Sequence, residues 1–438
     1  MSTASLAEVT ASVKRSVESL RTAEALATYA SVVNPSFMSS RAASTDSAFA
    51  NIGLYSEHNF IDPNHLSEAL RAAFQRRVAT QISNYVNTLQ SDASAVLGSS
   101  ILHNSGTTRF FVFNALGHTR TDVADIATAL SSPFRVVDVT SGQEVRSQLI
   151  TKEAQQYIRI LAEHVPSVGY RVYEIQQIAS QFTDSAVTFS NGNSTFENDK
   201  YTVTIDGRGA ITSLIDKRDA NRELVQNIGG LAMNDIGSGS GSPVVENVGP
   251  VSATIRVNST GSPSHTTRIT LYKTIDRVDI ENEVTQNFGS GEQTYSFGFN
   301  MSGYTVRHEE VGAIATAKLQ SQGGSYSNDL SRFDFFTMNH FVDISDFQRG
   351  VTLSNWDSPF FRLGNSSGSS IDVTTPQVKA LIGVQPDGHG FVGQNGDSYF
   401  KNRSGMESTI RLAQCVWHSS IRIRSRPDTS PAAVALFR

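Results

Sequence analysis

Cysteine is almost absent from this chain: Cys415 is the only one in 438 residues. One cysteine excludes an intrachain disulfide framework and any multi-cysteine metal site. Long hydrophobic runs are missing too, and no stretch approaches the ~20 apolar residues that a membrane-spanning helix needs. The N-terminal MSTASLAEVTASVKRSVESL lacks the continuous apolar segment of a secretory signal, so a cytoplasmic, non-membrane protein is expected. Charge of one sign is scarce. With 36 Lys and Arg against 41 Asp and Glu, the net charge is −5, which gives no electrostatic footprint for nucleic acid. The single basic run, IRIRSR near the C-terminus, reads as a solvated tail. Familiar catalytic signatures are missing as well: no H-E-x-x-H, no G-x-S-x-G, no phosphate loop ending in G-K-[ST] and no dinucleotide glycine fingerprint.

What is present is globular. Hydrophobic residues make up 39%, and 24 Phe stand against 2 Trp. The length suggests about three domains. The first hundred residues follow a helical period: Leu6, Val9, Val13, Val17 and Leu20 form one stripe, and Leu66, Leu70, Phe74, Val78, Ile82, Tyr85 and Leu89 form another. Asp62 and Pro63 suit the N-cap and first turn of that second long helix. A shorter helix over about 37–56 completes a three-helix bundle, 1–100.

From 101 the period becomes two. RFFVFNALG, FRVVDVTSGQEV and GYRVYEIQ read as strands of a small antiparallel sandwich, 101–185. A larger sandwich is expected over 186–400. There Tyr201, Val203 and Ile205 share a face, Gly207 and Gly209 flank a turn, and Ile211 and Leu214 start the return strand. RITLYKTIDRVDIENEVTQ reads as a further hairpin, and GSGSGSP at 237–243 as a flexible loop within the domain. The segment 401–438 shows little alternation and stands apart, as a terminal extension or a frame-altered tail.

Ten histidines are spread along the chain, none in an i, i+4 pair on an expected helix. A lone histidine is more simply a surface or satisfied core residue, and by spacing that holds for His58 in NIGLYSEHNF. Two acidic pairs are dense enough to consider for glycoside chemistry, which needs carboxyls about 5 Å apart in the retaining case. Glu309 and Glu310 are neighbours on a strand and so point to opposite faces, while Asp343 and Asp346 suit turn-capping. Structural roles are the simpler reading for both pairs. His308 with Glu310 is the one His/Glu pairing suited to mutarotase-like chemistry.

Several segments, in order, resemble the glycoside hydrolase family 38 α-mannosidases. They are VFNALGHTRTDVADI, PSVGYRVYEI, FENDKYTVTIDGRGAITSLIDKRDANREL and HFVDISDFQRGVTLSNWDSP, within a likeness running from about residue 1 to 400. The resemblance implies a mainly β fold with an N-terminal helical bundle, a small antiparallel sandwich and a large galactose-mutarotase-like supersandwich. It also implies a retaining, zinc-dependent glycosidase that cleaves α-mannosidic bonds in mannose and oligosaccharide catabolism, zinc holding the sugar's 2- and 3-hydroxyls.

In that family a late His ligand of the zinc lies in a leucine-phenylalanine-x-x-His segment at the entry to the bundle. NIGLYSEHNF is similar to it, and the match falls on His58; Asn59 follows where many members carry Asp or Thr. The family's N-terminal α/β domain, with the other zinc ligands, the nucleophile and the general acid, has no counterpart in these residues. No catalytic residue is therefore carried over, and the chain alone is expected neither to hold zinc stoichiometrically nor to cleave a mannoside. The implied partners are an α-mannoside or oligosaccharide and an α/β catalytic domain. Members of the family often form oligomers, and nothing in these residues bears on that. The alternative is a non-catalytic carbohydrate-binding or structural β-sandwich protein.

Overall fold

A computed structural model of the protein describes residues 7–56, 68–102, 106–152, 154–284, 292–329, 331–347, 349–358, 360–383, 406–416 and 433–437. Helices α1 (Ala7–Val33), α2 (Ala42–Ser56) and α3 (Glu68–Ser99) come first. Val9, Val13, Leu20, Leu26 and Ala30 of α1 are buried against Val78, Ile82, Val86 and Leu89 of α3. Alanines at 23, 27 and 30 are also buried in this seam. α2 is tied in by Tyr55, whose hydroxyl shares a 2.9 Å hydrogen bond with Thr10 Oγ1. The expected stripe on α3 is corrected at one end, since Leu70 is 58% exposed. Each four-residue step turns about 40° beyond a full circle, so three such steps from Leu70 to Ile82 rotate it roughly 120° off the seam. Asp62, Pro63 and Leu66 lie outside the described residues.

The small sandwich has two antiparallel sheets. One runs Ala433–Phe437, Thr108–Asn114, Gly169–Gln176, Arg135–Asp138, Glu144–Val145; the other runs Arg120–Ala127, Gln155–Val165, Ser147–Lys152. The strand Thr108–Asn114 shows why its sequence is apolar throughout. Phe110 and Val112 enter the sandwich core, while Phe111 and Phe113 point the other way, into the helical bundle. Alternate side chains of a strand face opposite sides, and here both sides are covered.

The large sandwich holds a five-stranded, a nine-stranded and a four-stranded sheet. The nine strands are, in order, Pro243–Val248, Ser252–Ser259, His265–Tyr272, Val278–Val284, Met406–Val416, Arg349–Asn355, Phe341–Ser345, Thr305–Glu310 and Ala313–Thr316. Ile255, Ile269, Leu271, Ile280 and Leu353 face the core with Phe297 and Phe361. The hairpin of Tyr201, Val203 and Ile205 with Ile211 and Leu214 forms as expected. Gly209 is required at its turn: φ is +80°, and a Cβ would stand 2.6 Å from Thr267.

Two expectations change. The glycine-serine stretch 237–243 is packed rather than flexible. Ser240 and Thr260 exchange backbone hydrogen bonds of 3.1 and 2.9 Å, and a Cβ on Gly241 would lie 2.1 Å from the carbonyl oxygen of Asn258. Glycine serves close backbone approach there. The described stretches of 401–438 are not set apart either. Met406–Val416 pairs between Val278–Val284 and Arg349–Asn355, and Ala433–Phe437 pairs with Thr108–Asn114. Its strand partners lie far off in sequence, so no local hairpin signal marks them.

Candidate functional site

His58 lies outside the described residues. Among the described residues no group of three or more His, Cys, Asp or Glu side chains could hold a metal ion. No described helix is long and apolar enough to cross a membrane.

The other sequence candidates are placed clearly. Glu309 and Glu310 do turn to opposite sides of Thr305–Glu310. Glu310 accepts a 2.6 Å hydrogen bond from the Tyr326 hydroxyl, which also lies 2.9 Å from His308 Nε2. His308 Nδ1 donates to the carbonyl of Thr337 at 2.7 Å. The structure thus joins His308 to Glu310 through Tyr326. It also buries the imidazole fully, with its ring edge-on to Phe336 and Phe361, and that burial lowers its pKa. No solvent or sugar reaches this ring, so it is a core histidine. Asp343 is half-buried, and its loss of solvent raises its carboxyl despite hydrogen bonds from Ser345 and Thr352. Asp346 accepts the backbone N–H of Arg349 in a turn, at 2.7 Å. Each of these four carboxyls is engaged by hydrogen bonds within the fold.

Two charged constellations escape sequence reading because their members are distant along the chain. The first joins α1 to the large sandwich. His340 Nε2 lies 2.7 Å from Glu18 Oε1, and Nδ1 lies 2.8 Å from Glu309 Oε2. Each contact requires a proton between nitrogen and oxygen, so the three side chains together hold two. Burial pushes Glu18 upward, but the His340 hydrogen bond and charge, with Arg21 and Lys14, bring it below the usual carboxylate value. Lys14 donates to the carbonyl of Asn355 at 3.2 Å. Its burial lowers the ammonium to about 8, even with Asp357, Glu18 and Glu309 nearby. Arg15, next on the helix, pairs with Asp357 at 2.7 Å.

The second constellation is a cleft of about 400 Å³ between the sandwiches, with Arg15 and Trp356 also in its lining. Its floor follows from strand alternation. Core-facing Ile255, Ile269, Leu271 and Ile280 put Thr254, Arg268, Thr270, Tyr272, Asp279 and Glu281 on the opposite, cleft-facing side. The wall comes from the three-stranded sheet of the small sandwich. Arg159 grips Asp125 through two bonds of 2.7 and 2.8 Å, with Lys152 on the same carboxylate at 2.7 Å. Burial alone would raise Asp125; the Arg159 hydrogen bonds and charge, with Lys152, bring it down to about 2. Arg277 reaches across to Asp122 at 2.8 Å and holds Asp279 at 2.8 Å. Deeper in the same junction, Gln148 accepts the N–H groups of Val251 and Ser252 at 2.8 and 2.9 Å and donates to Ser252 O at 3.1 Å. The sequence signal for the floor was the polar alternation of RITLYK and VDIENEV; no signal identified the opposite wall.

No family model and no curated protein matches the sequence. Solved structures do. An α-mannosidase from Enterococcus faecalis V583 aligns with 93% of this chain at a TM-score of 0.70 and 13% identity. A protein of glycosyl hydrolase family 38 from Enterococcus faecalis aligns with 94% at 0.69 and 14% identity. The chain spans about half the length of these proteins, 54% and 57%. A galactose mutarotase-like protein from Lactobacillus casei aligns with 50% of the chain at 14% identity, and its TM-score of 0.32 is too low to support a reading of the site. The bundle and two sandwiches therefore have the fold found in family 38 α-mannosidases.

Proposed function

We propose that this chain is the helical-bundle and β-sandwich portion of a retaining, zinc-dependent α-mannosidase that cleaves α-mannosidic bonds in oligosaccharides. The observation that carries the reading is the alignment of 93% of the chain, bundle included, with an α-mannosidase. In this reading His58 is the ligand this chain offers to zinc, and an α/β region outside this sequence supplies the remaining ligands, the nucleophile and the general acid. When bound, the metal would orient and polarise sugar hydroxyls. The contribution of the described residues is a rigid support, because the paired strands and the buried contacts of α1 fix the bundle against both sandwiches.

The test is to read the coding region upstream of Met1 for an early His-x-Asp and a later Asp, then express it together with this chain. The folded pair is expected to cleave an aryl α-mannoside only with zinc, and His58→Ala is expected to abolish cleavage. Cleavage by the pure chain alone, or none by the folded pair, overturns the proposal.

A further inference from the structure

The cleft between the sandwiches is not lined by His58, the one residue of this chain assigned to that hydrolysis, and it has the features of a binding site. Its volume, about 400 Å³, falls within the roughly 300–1,000 Å³ of small-ligand sites. Its charges are already matched: Arg159 and Lys152 with Asp125, Arg277 with Asp122 and Asp279, Arg268 and Arg256 with Glu246. A charged ligand would have to compete with fixed counter-charges 2.7–3.1 Å away. A neutral ligand faces no such competition.

Hydrogen-bonding capacity nonetheless remains. Arg268 holds Glu246 through Nε at 2.9 Å, while its Nη1 stands 3.6 and 3.8 Å from Glu281 and Glu283, beyond hydrogen-bond length. Lys152 makes one 2.7 Å bond, to Asp125, from an ammonium with three donors. Among the described residues Glu246 receives the Nε groups of Arg256 and Arg268, at 3.1 and 2.9 Å, and a carboxylate has further lone pairs. Half-buried Trp356 adds an apolar ring to the lining of this polar trough. Donors and acceptors held in place by ion pairs, beside one indole, suit a ligand with many hydroxyls and an apolar C–H face. Such a ligand needs no reordering of the walls.

We infer that this cleft binds a neutral oligosaccharide at a site separate from any zinc centre. The test is calorimetric titration of the full chain with mannobiose and cellobiose, with inorganic phosphate as the charged probe. At least one disaccharide is expected to bind saturably, with little dependence on salt. Trp356→Ala and Arg268→Gln are each expected to weaken binding about tenfold, the effect of one good contact. Lys152→Ala, at the exposed rim, leaves the fold intact and is expected to weaken binding by about threefold.

No saturable binding of either sugar overturns the inference. So does sugar binding undiminished in all three variants, or salt-sensitive binding of phosphate alone. Zinc-dependent cleavage is measured separately, so either idea can fail while the other stands.

Discussion

The two junctions of the large sandwich bury charge in different ways. Against α1 it uses one imidazole between two carboxylates, beside a lysine held at low pKa by burial. Against the small sandwich it uses a forked guanidinium–carboxylate pair that lines a cleft, an arginine bridging two carboxylates, and a glutamine that satisfies three backbone groups. The first arrangement depends on protons being in place at each nitrogen–oxygen contact. The second depends on arginine, which keeps its charge at any accessible pH and matches carboxylate geometry with two parallel bonds. The first junction therefore contains a lysine that releases its proton near 8, and the second fails only when a carboxylate is protonated in acid.

The largest effect should come from breaking the imidazole bridge. In His340→Ala, buried Glu309 and Glu18 lose their donor and face each other, at a cost of about 3–5 kcal/mol. Urea unfolding reads this directly, and His340→Gln should restore part of the loss by donating one hydrogen bond. A loss under about 1 kcal/mol would show that water replaces the bridge. Next is Lys14. The unfolded lysine keeps its proton to 10.5, whereas the folded one releases it near 8. Between those values the unfolded state binds more protons, so stability rises with pH, by up to about 3 kcal/mol. Stability measured from pH 7 to 10.5 should show this rise in the native chain and not in Lys14→Met.

The smallest effect lies at the other junction. Asp125 is brought from 3.8 down to about 2, so its contribution is complete above 3.8 and disappears as pH falls through 2. The loss, about 2 kcal/mol, should appear in acid titration and be absent in Asp125→Asn. If acid unfolding were the same in both, the forked pair would contribute nothing net.

Much of the architecture was legible because it is local. Val9, Val13 and Leu20 keep a helical step, and Tyr201, Val203 and Ile205 keep a strand step, each fixed by near neighbours. The strand Met406–Val416 was missed although Ile410, Leu412 and Val416 fall at alternating positions, because its partners come from Val278–Val284 and Arg349–Asn355. Both charged constellations were hidden for the same reason. Glu18 and His340 are 322 positions apart, and no periodicity reports a contact of that separation. Gly241 was misread through composition: glycine and serine together suggest slack chain, but there they allow backbones to touch.

The pairing of Ala433–Phe437 with Thr108–Asn114 also sets an order of events during synthesis. The first strand of the small sandwich leaves the ribosome more than 300 residues before the neighbour that covers its open edge. At ~5–20 residues per second, that edge waits roughly 15–60 s. During this time a strand with Phe at 110, 111 and 113 shows unpaired backbone to other nascent chains. The helices, made earlier, can shield Phe111 and Phe113 from one side, and the strand Gly169–Gln176 can pair the other edge. The remaining edge is closed by Ala433–Phe437, so it stays open until that strand has been made.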